Sequence, residues 1–267
     1  MKKVRAIAFN TLKEAIRDRI VYVTLIFMIL GLLASQLLTP LTMGEQIKII
    51  QDFSLAFANF FSVIIVIFVG TSVIRRELDL KTIQLIISRP VRRYQFIMGK
   101  FAGMVLLDVV IIVIMGIGVV VNVFFINKSI YYSFWNFHGV HYAAIIVAIA
   151  FMGLQLVLLN AVSIFFSTIT SSSTIGAIFT FFIYIVGMFT QSLNDLLKIV
   201  QHSAVTTLIK VIYYAIPNFS ILNLKNQAIY GAIPDVHQAL FLISYTLLYS
   251  AFLLIAAVLI FEGKEIR

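Results

Sequence analysis

Four polar residues inside long apolar runs are the best candidates for chemistry in this sequence. Asp108, Asn122, Gln155 and Asn160 each lie among Leu, Ile, Val and Phe. A carboxylate near the centre of a bilayer costs about 2.5–3.5 kcal/mol, so we expect Asp108 to be paired or protonated. It could serve a proton or cation relay, contact a substrate, or form a structural hydrogen bond to Asn160, Gln155 or a hydroxyl. The structural interpretation is favoured, because a relay normally uses several ionisable groups at this depth.

Most other site chemistry is disfavoured by the sequence. The chain has no Cys, which excludes disulfides and thiolate metal sites. His138 and His141 form an H-x-x-H pair, but they supply only two ligands and lie near Trp135, which is typical of an interfacial aromatic belt. Gly99-Lys100 lacks the upstream glycine and the following hydroxyl of a phosphate-binding loop. We therefore predict no metal, no cofactor bound by this chain and no enzymatic activity of its own.

The elements that position these residues are predicted to be membrane spans. Of the 267 residues, 61% are hydrophobic and 12% are charged, and the mean hydropathy is +1.05. A soluble domain has about a quarter of its residues charged. Apolar runs of about 20 residues cross a bilayer as helices. We predict an all-α membrane protein with one domain over 1–267 and six transmembrane helices, at about 20–38, 53–74, 101–126, 143–166, 171–190 and 239–261.

Basic residues orient this chain. If both termini are cytoplasmic, fifteen of the 20 Lys and Arg residues lie on the inside, a clear positive-inside bias. The net charge of +9 is then explained by topology, and nucleic-acid binding is not predicted. Residues 1–19 are amphipathic, with Val4, Ile7, Ala8 and Leu12 on one stripe, so we predict an interfacial helix at the cytoplasmic headgroups. It could be a topology anchor or a lever connected to the first span.

Segment 75–100 predicts a cytoplasmic helical hairpin between spans two and three. Pro90 ends its first helix, because the residue before a proline avoids the α region. A second helix then runs into the third span. Ile83, Leu85 and Ile86 form an apolar ridge that must pack on the bundle, on lipid or on a partner protein.

The long outer segment 189–238 predicts two short helices folded back on each other, between spans five and six. The alternative is a seventh span, which would place the C-terminus outside.

Eleven residues of the hairpin share a pattern with a known loop: Glu77, Thr82, Ile83, Leu85, Ile86, Ile87, Ser88, Pro90, Val91, Arg93 and Lys100. In this pattern the hairpin resembles the cytoplasmic loop of ABC-2-type permeases, the membrane subunits of one class of ABC transporter. Lys81 stands where that loop often has glycine. The stretches Ile216-Pro217-Asn218-Phe219 and Leu222-Asn223-Leu224 further resemble the branch associated with multicopper-enzyme maturation.

The resemblance implies the permease subunit of an exporter in the cell membrane. A second permease chain, identical or related, would complete the translocation path, and two separate ATPase subunits would supply the ATP and Mg²⁺ sites. The alternatives are a secondary transporter or channel, and a membrane assembly subunit without transport. The sequence does not indicate the transported substrate. The coupling residues that the resemblance implies are Glu77, Thr82, Ile83, Leu85, Ile86, Ser88, Pro90 and Arg93.

Overall fold

The computed structural model describes residues 2–17, 20–38, 46–79, 92–131, 140–191 and 203–263. Within these ranges 91% of the residues are helical and none lies in a strand. The prediction of an all-helical chain is therefore confirmed for this part of the molecule.

Nine α-helices and one 3₁₀ turn make up these ranges. The 3₁₀ turn is Ser220–Leu222. The helices are α1 Lys2–Arg17, α2 Ile20–Leu38, α3 Gln46–Asp79, α4 Arg93–Tyr131, α5 Tyr142–Ile169, α6 Ser173–Met188, α7 Ser203–Ala215, α8 Lys225–Ile229 and α9 Val236–Gly263.

The described helices account for four or five membrane spans. Helices α3, α4, α5 and α9 are each long and apolar enough to cross a bilayer. Helices α1 and α2 meet this requirement only together, as a bent pair. Helix α6 is apolar but has 16 residues, fewer than a full span needs. The chain is thus a multi-pass membrane protein, and the number six stays a prediction.

Helices α3 and α4 extend well beyond the apolar runs that predicted them. Helix α3 has 34 residues and α4 has 39, so they are roughly 51 and 58 Å long at 1.5 Å per residue. The hydrocarbon core of a bilayer is only about 30 Å thick. Hydropathy detects only the part of a helix that lies in the hydrocarbon core, whereas both helices continue beyond it into polar surroundings. Glu77 of α3 and Lys100 of α4 lie at the same end of the bundle.

Helix α5 is the centre of the bundle and contacts α3, α4, α6 and α9. Its Leu156, Leu158 and Leu159 are fully buried although they point in different directions around the helix. Helix α9, in contrast, leaves Leu248, Phe252 and much of its surface exposed, as expected for a face towards lipid.

Helix α1 packs closely on α4 at two glycines. A Cβ atom on Gly99 would lie 2.7 Å from Ile7 Cβ, and one on Gly103 would lie 2.6 Å from Thr11 Cβ. Small residues four apart allow helix backbones to approach closely. The predicted amphipathic helix is therefore part of the bundle, with Ala8 and Thr11 buried against α4.

Candidate functional site

Three charged side chains meet at the hairpin end of the bundle. Lys100 on α4 is only 2% exposed and forms ion pairs with Glu77 on α3 and with Glu14 on α1, at 3.8 Å in the second case. Its Nζ atom also lies 5.8 Å from the centre of the Phe96 ring. We call Glu14, Glu77 and Lys100 the basal charge cluster. It joins three helices at one point.

Burial makes this cluster a strong constraint on helix position. An ammonium group removed from water is costly unless opposite charge faces it. Glu77 is 14% exposed, whereas Glu14 is 40% exposed and keeps contact with solvent. The Glu77–Lys100 pair is thus the desolvated part of the cluster. It joins the end of α3 to the start of α4 and closes the base of segment 80–91.

Arg93 links the same end of α4 to the C-terminus of α9. Its Nη1 atom donates hydrogen bonds to the carbonyl oxygens of Phe261 at 3.0 Å and Glu262 at 2.7 Å. The last carbonyl groups of a helix have no partner inside that helix, so a cation is well placed there. Phe96 stacks on Phe261 with ring centres 6.0 Å apart, which adds an apolar contact to the link.

Two of the predicted coupling residues, Glu77 and Arg93, lie on either side of segment 80–91 in the chain, where Glu77 contacts Lys100 and Arg93 contacts the end of α9. Both make contacts within the chain. The other six lie outside the described residues: Thr82, Ile83, Leu85, Ile86, Ser88 and Pro90.

Asp108 lies deep in the bundle, opposite Asn160 of α5. The Asn160 Nδ2 atom donates a hydrogen bond to Asp108 Oδ2. Among the described residues, Asp108 Oδ1 and Asn160 Oδ1 have no hydrogen-bond partner, and neither does Ser163 Oγ one turn further along α5. Gly70 makes room for this group, since a Cβ atom there would lie 2.7 Å from Ser163 Cβ. The contact anticipated between Asp108 and Asn160 is present.

Asn122 belongs to a separate contact nearer the other end of α4. Its Nδ2 atom donates to Ser35 Oγ at 2.8 Å and to Ser54 Oγ at 2.9 Å, so one amide joins α2, α3 and α4. A cavity of about 20 Å³ adjoins Asn122 and has room for a single water molecule. This geometry is that of a structural hydrogen-bond junction.

Gln155 joins α5 to α6. Its Nε2 atom donates to Tyr184 Oη at 3.1 Å and lies 3.7 Å from Met188 Sδ. The hydrogen bonds of the described residues thus place the four intramembrane polar residues in three separate contacts. They do not form a continuous polar path through the described helices.

The end of the bundle opposite the basal charge cluster is closed by a segment whose packing the sequence did not reveal. Phe219 is fully buried, and its N–H donates to the Gly187 carbonyl at 3.1 Å. The N–H of Asn218 donates to Tyr245 Oη at 2.8 Å. Lys225 forms an ion pair with Asp52 of α3 at 3.0 Å. The Pro217-Asn218 sequence indicates a turn at this position. It does not indicate what the segment contacts, because the contacted residues Gly187 and Tyr245 lie on other helices, far away in the chain.

The structure describes one histidine of the H-x-x-H pair, His141. His141 packs against Gly231, whose φ of +74° is accessible to glycine, and His138 lies outside the described residues. Among the residues that the structure describes, no three His, Asp or Glu side chains are grouped as metal ligands would be.

Comparison with known proteins identifies one family. A family model described as ABC-2 family transporter protein matches residues 5–266. No curated protein matches the chain. The matched range includes the basal charge cluster, Arg93 and all four intramembrane polar residues.

Proposed function

On the premise that the chain belongs to the ABC-2 family of transporter proteins, we propose that it forms half of an export path driven by separate ATPase subunits. Family membership makes the chain a membrane permease subunit of an ABC transporter. Permeases of this family have no ATPase site and generally work with ABC ATPase partners. The direction of transport, the number of partners and the coupling route are the proposed parts.

The observation that carries the proposal is the bracing of the hairpin base. Through Glu77, Lys100 and Arg93, the ends of α3, α4 and α9 are joined to one another, and Glu14 adds α1. A load applied to segment 80–91 would therefore move four helices together. ATP-driven closure of an ATPase pair could tilt these helices and switch access between the two sides of the membrane.

The partner surface is proposed to be the apolar ridge of the hairpin. Ile83, Leu85 and Ile86 follow one another too closely for a solvated loop. We place this ridge in a groove of one of two ATPase subunits, which bind ATP and Mg²⁺. A second permease chain, identical or related, would lie across the path and contact the other ATPase subunit. The complete topology would then have six spans with both termini in the cytoplasm.

Within this proposal the intramembrane polar residues hold helices together. Asp108 and Asn160 join α4 to α5, and Asn122 joins three helices. The outer Pro217 segment would belong to the multicopper-maturation branch, which leaves the substrate undefined.

A pull-down with tagged permease tests the coupling proposal. We expect an ATPase to co-purify with the wild-type chain and to be lost from Ile83→Asp and Leu85→Asp. The matched control is Ile233→Asp, because Ile233 is an exposed aliphatic residue that precedes α9, at the end of the bundle away from segment 80–91. All variants are first checked for a monodisperse profile in size-exclusion chromatography.

Two outcomes would overturn the proposal. One is a stable, monodisperse complex that contains no ATPase. The other is substrate transport by the purified chain alone, driven by an ion gradient, which would favour a secondary transporter.

A further inference from the structure

Two apolar grooves lie side by side at the hairpin end of the bundle. They share Tyr94, Met98 and Phe101, which form one stripe on α4. We call this stripe the α4 ridge. The first groove, about 760 Å³, lies between the ridge and α1. The second groove, about 540 Å³, lies between the ridge and α9.

Each groove has the length of one lipid leaflet. The first follows α4 from Tyr94 to Leu106, and the second follows α9 from Leu259 to Leu247. Twelve residues of helix rise roughly 18 Å, and half of a bilayer core is about 15 Å. Both grooves begin at Tyr94, close to where the charged end of the bundle begins. Their dimensions therefore suit two hydrocarbon chains that start from one point.

Polar groups gather where the grooves meet. Arg5 of α1 is exposed, lines the first groove and has its guanidinium carbon 5.7 Å from the centre of the Phe9 ring. Gln95 lines the same groove and donates to Tyr94 Oη at 3.2 Å. Guanidinium groups bind phosphate oxygens well because their N–H donors form a fixed fork.

The balance of charge at this end favours an anion. Glu14 and Glu77 are both engaged with Lys100 on the other side of α4, and among the described residues Asp79 at the end of α3 and Glu262 at the end of α9 are further acidic residues at this end. Arg92, two residues before Tyr94 in the chain, is exposed and adds positive charge.

We propose that this double groove binds one anionic phospholipid of the cytoplasmic leaflet. Its phosphate lies at Arg5, beside Tyr94 and Gln95, and its two acyl chains lie on either side of the α4 ridge. The proposal rests on the topology of the proposed function, in which α1 is cytoplasmic, because the cytoplasmic leaflet carries the anionic lipids. It assigns α1 a role in lipid recognition in addition to its packing on α4.

Electron spin resonance with spin-labelled lipids tests the site. The full chain is reconstituted into vesicles that contain phosphatidylglycerol or phosphatidylcholine with the same labelled acyl chain, and the motionally restricted fraction is measured. We expect preferential restriction of phosphatidylglycerol in the wild type. Arg5→Gln is expected to reduce this preference about tenfold, because a charge-assisted hydrogen bond from its guanidinium group to the lipid phosphate is lost.

Two further variants separate a built site from general attraction. Arg17→Gln removes an exposed basic residue of the same helix that lines neither groove, so the preference should remain at the wild-type level. Ala102→Phe fills the first groove and should reduce the restricted fraction of both lipids. Inorganic phosphate added to the vesicles should not displace the labelled lipid, because it lacks acyl chains.

The proposal is overturned by an equal effect of Arg17→Gln and Arg5→Gln, by an unchanged preference in Arg5→Gln, or by displacement with inorganic phosphate. Capture of the ATPase by Arg5→Gln, measured in the same preparations, distinguishes loss of the lipid site from failure of the coupling proposal.

Discussion

Replacing Lys100 by Met tests the basal charge cluster directly. Met is nearly the same size as Lys but carries no charge, so the change removes the buried ammonium group that faces Glu77. Removing one partner of a buried ion pair destabilises a protein by about 3–5 kcal/mol. Glu77 is 14% exposed, and so this range applies to it, whereas the 40% exposed Glu14 can turn towards water.

The expected consequence is a large fall in the midpoint of thermal unfolding. In chains of 150–250 residues, 1 kcal/mol corresponds to roughly 2–4 °C, so Lys100→Met should lower Tm by roughly 6–20 °C. The double variant Lys100→Met/Glu77→Gln should recover most of this loss, since no buried charge remains unpaired. Circular dichroism of the chain in lipid nanodiscs measures all three proteins.

The outer ion pair provides a matched control. Lys225 and Asp52 are 28% and 46% exposed, and exposed pairs contribute about 0–1 kcal/mol. Lys225→Met should therefore change Tm by less than roughly 4 °C. The reasoning is refuted if Lys100→Met has no larger effect than Lys225→Met, or if the double variant is no more stable than the single one.

Three further outcomes are expected. Asp108→Asn should keep most of the transport-coupled ATP hydrolysis, because an amide preserves the shape of the contact with Asn160. Gly103→Ala should raise amide hydrogen exchange throughout α1, since its Cβ atom would lie 2.8 Å from the carbonyl oxygen of Ala8. Arg93→Gln should raise exchange in the last turn of α9, because two charge-assisted hydrogen bonds of about 1.5–3 kcal/mol each are lost.

Each of these three predictions would be contradicted by a particular result. Loss of hydrolysis in Asp108→Asn with assembly intact would assign Asp108 to a relay or a substrate contact. The control for Gly103→Ala is Gly153→Ala, because a Cβ atom on Gly153 would lie at an ordinary contact distance of 3.8 Å from Ile112 Cγ1. If both variants raised amide exchange in α1 equally, the close contact between Gly103 and α1 would be excluded as the cause. Unchanged exchange in Arg93→Gln would show that these two hydrogen bonds do not stabilise the end of α9.

Hydropathy predicted the apolar parts of the fold because burial in lipid leaves a long continuous signal. Helix α2 begins and ends at the predicted residues, Ile20–Leu38. The polar ends of α3 and α4 gave no such signal, so their full lengths were not predicted. The fifth span was predicted over 171–190, whereas helix α6 covers the 16 residues Ser173–Met188. Apolar composition alone therefore does not determine where a helix begins and ends.

The candidate site was predictable where chemistry restricts the choice of partner. An unpaired carboxylate in a bilayer needs a polar neighbour, and Asn160 was one of few available to Asp108. The burial of Lys100 was not predicted, because a lysine at the end of a basic loop usually reaches solvent. The spacing of Gly99 and Gly103 was the available signal that another helix covers this part of α4.

The two ends of the bundle are held by contacts of unequal strength. At the hairpin end, Lys100 is almost fully buried in its ion pair with Glu77, and Arg93 joins α4 to α9. At the opposite end, the Asp52–Lys225 pair joins α3 to α8 and is partly exposed. Because a desolvated pair resists separation more than an exposed one, the contact of α3 with α8 should separate before the contact of α3 with α4 at Lys100. In the proposed coupling, a load on segment 80–91 would therefore tilt α3 and α4 together and loosen α8 first.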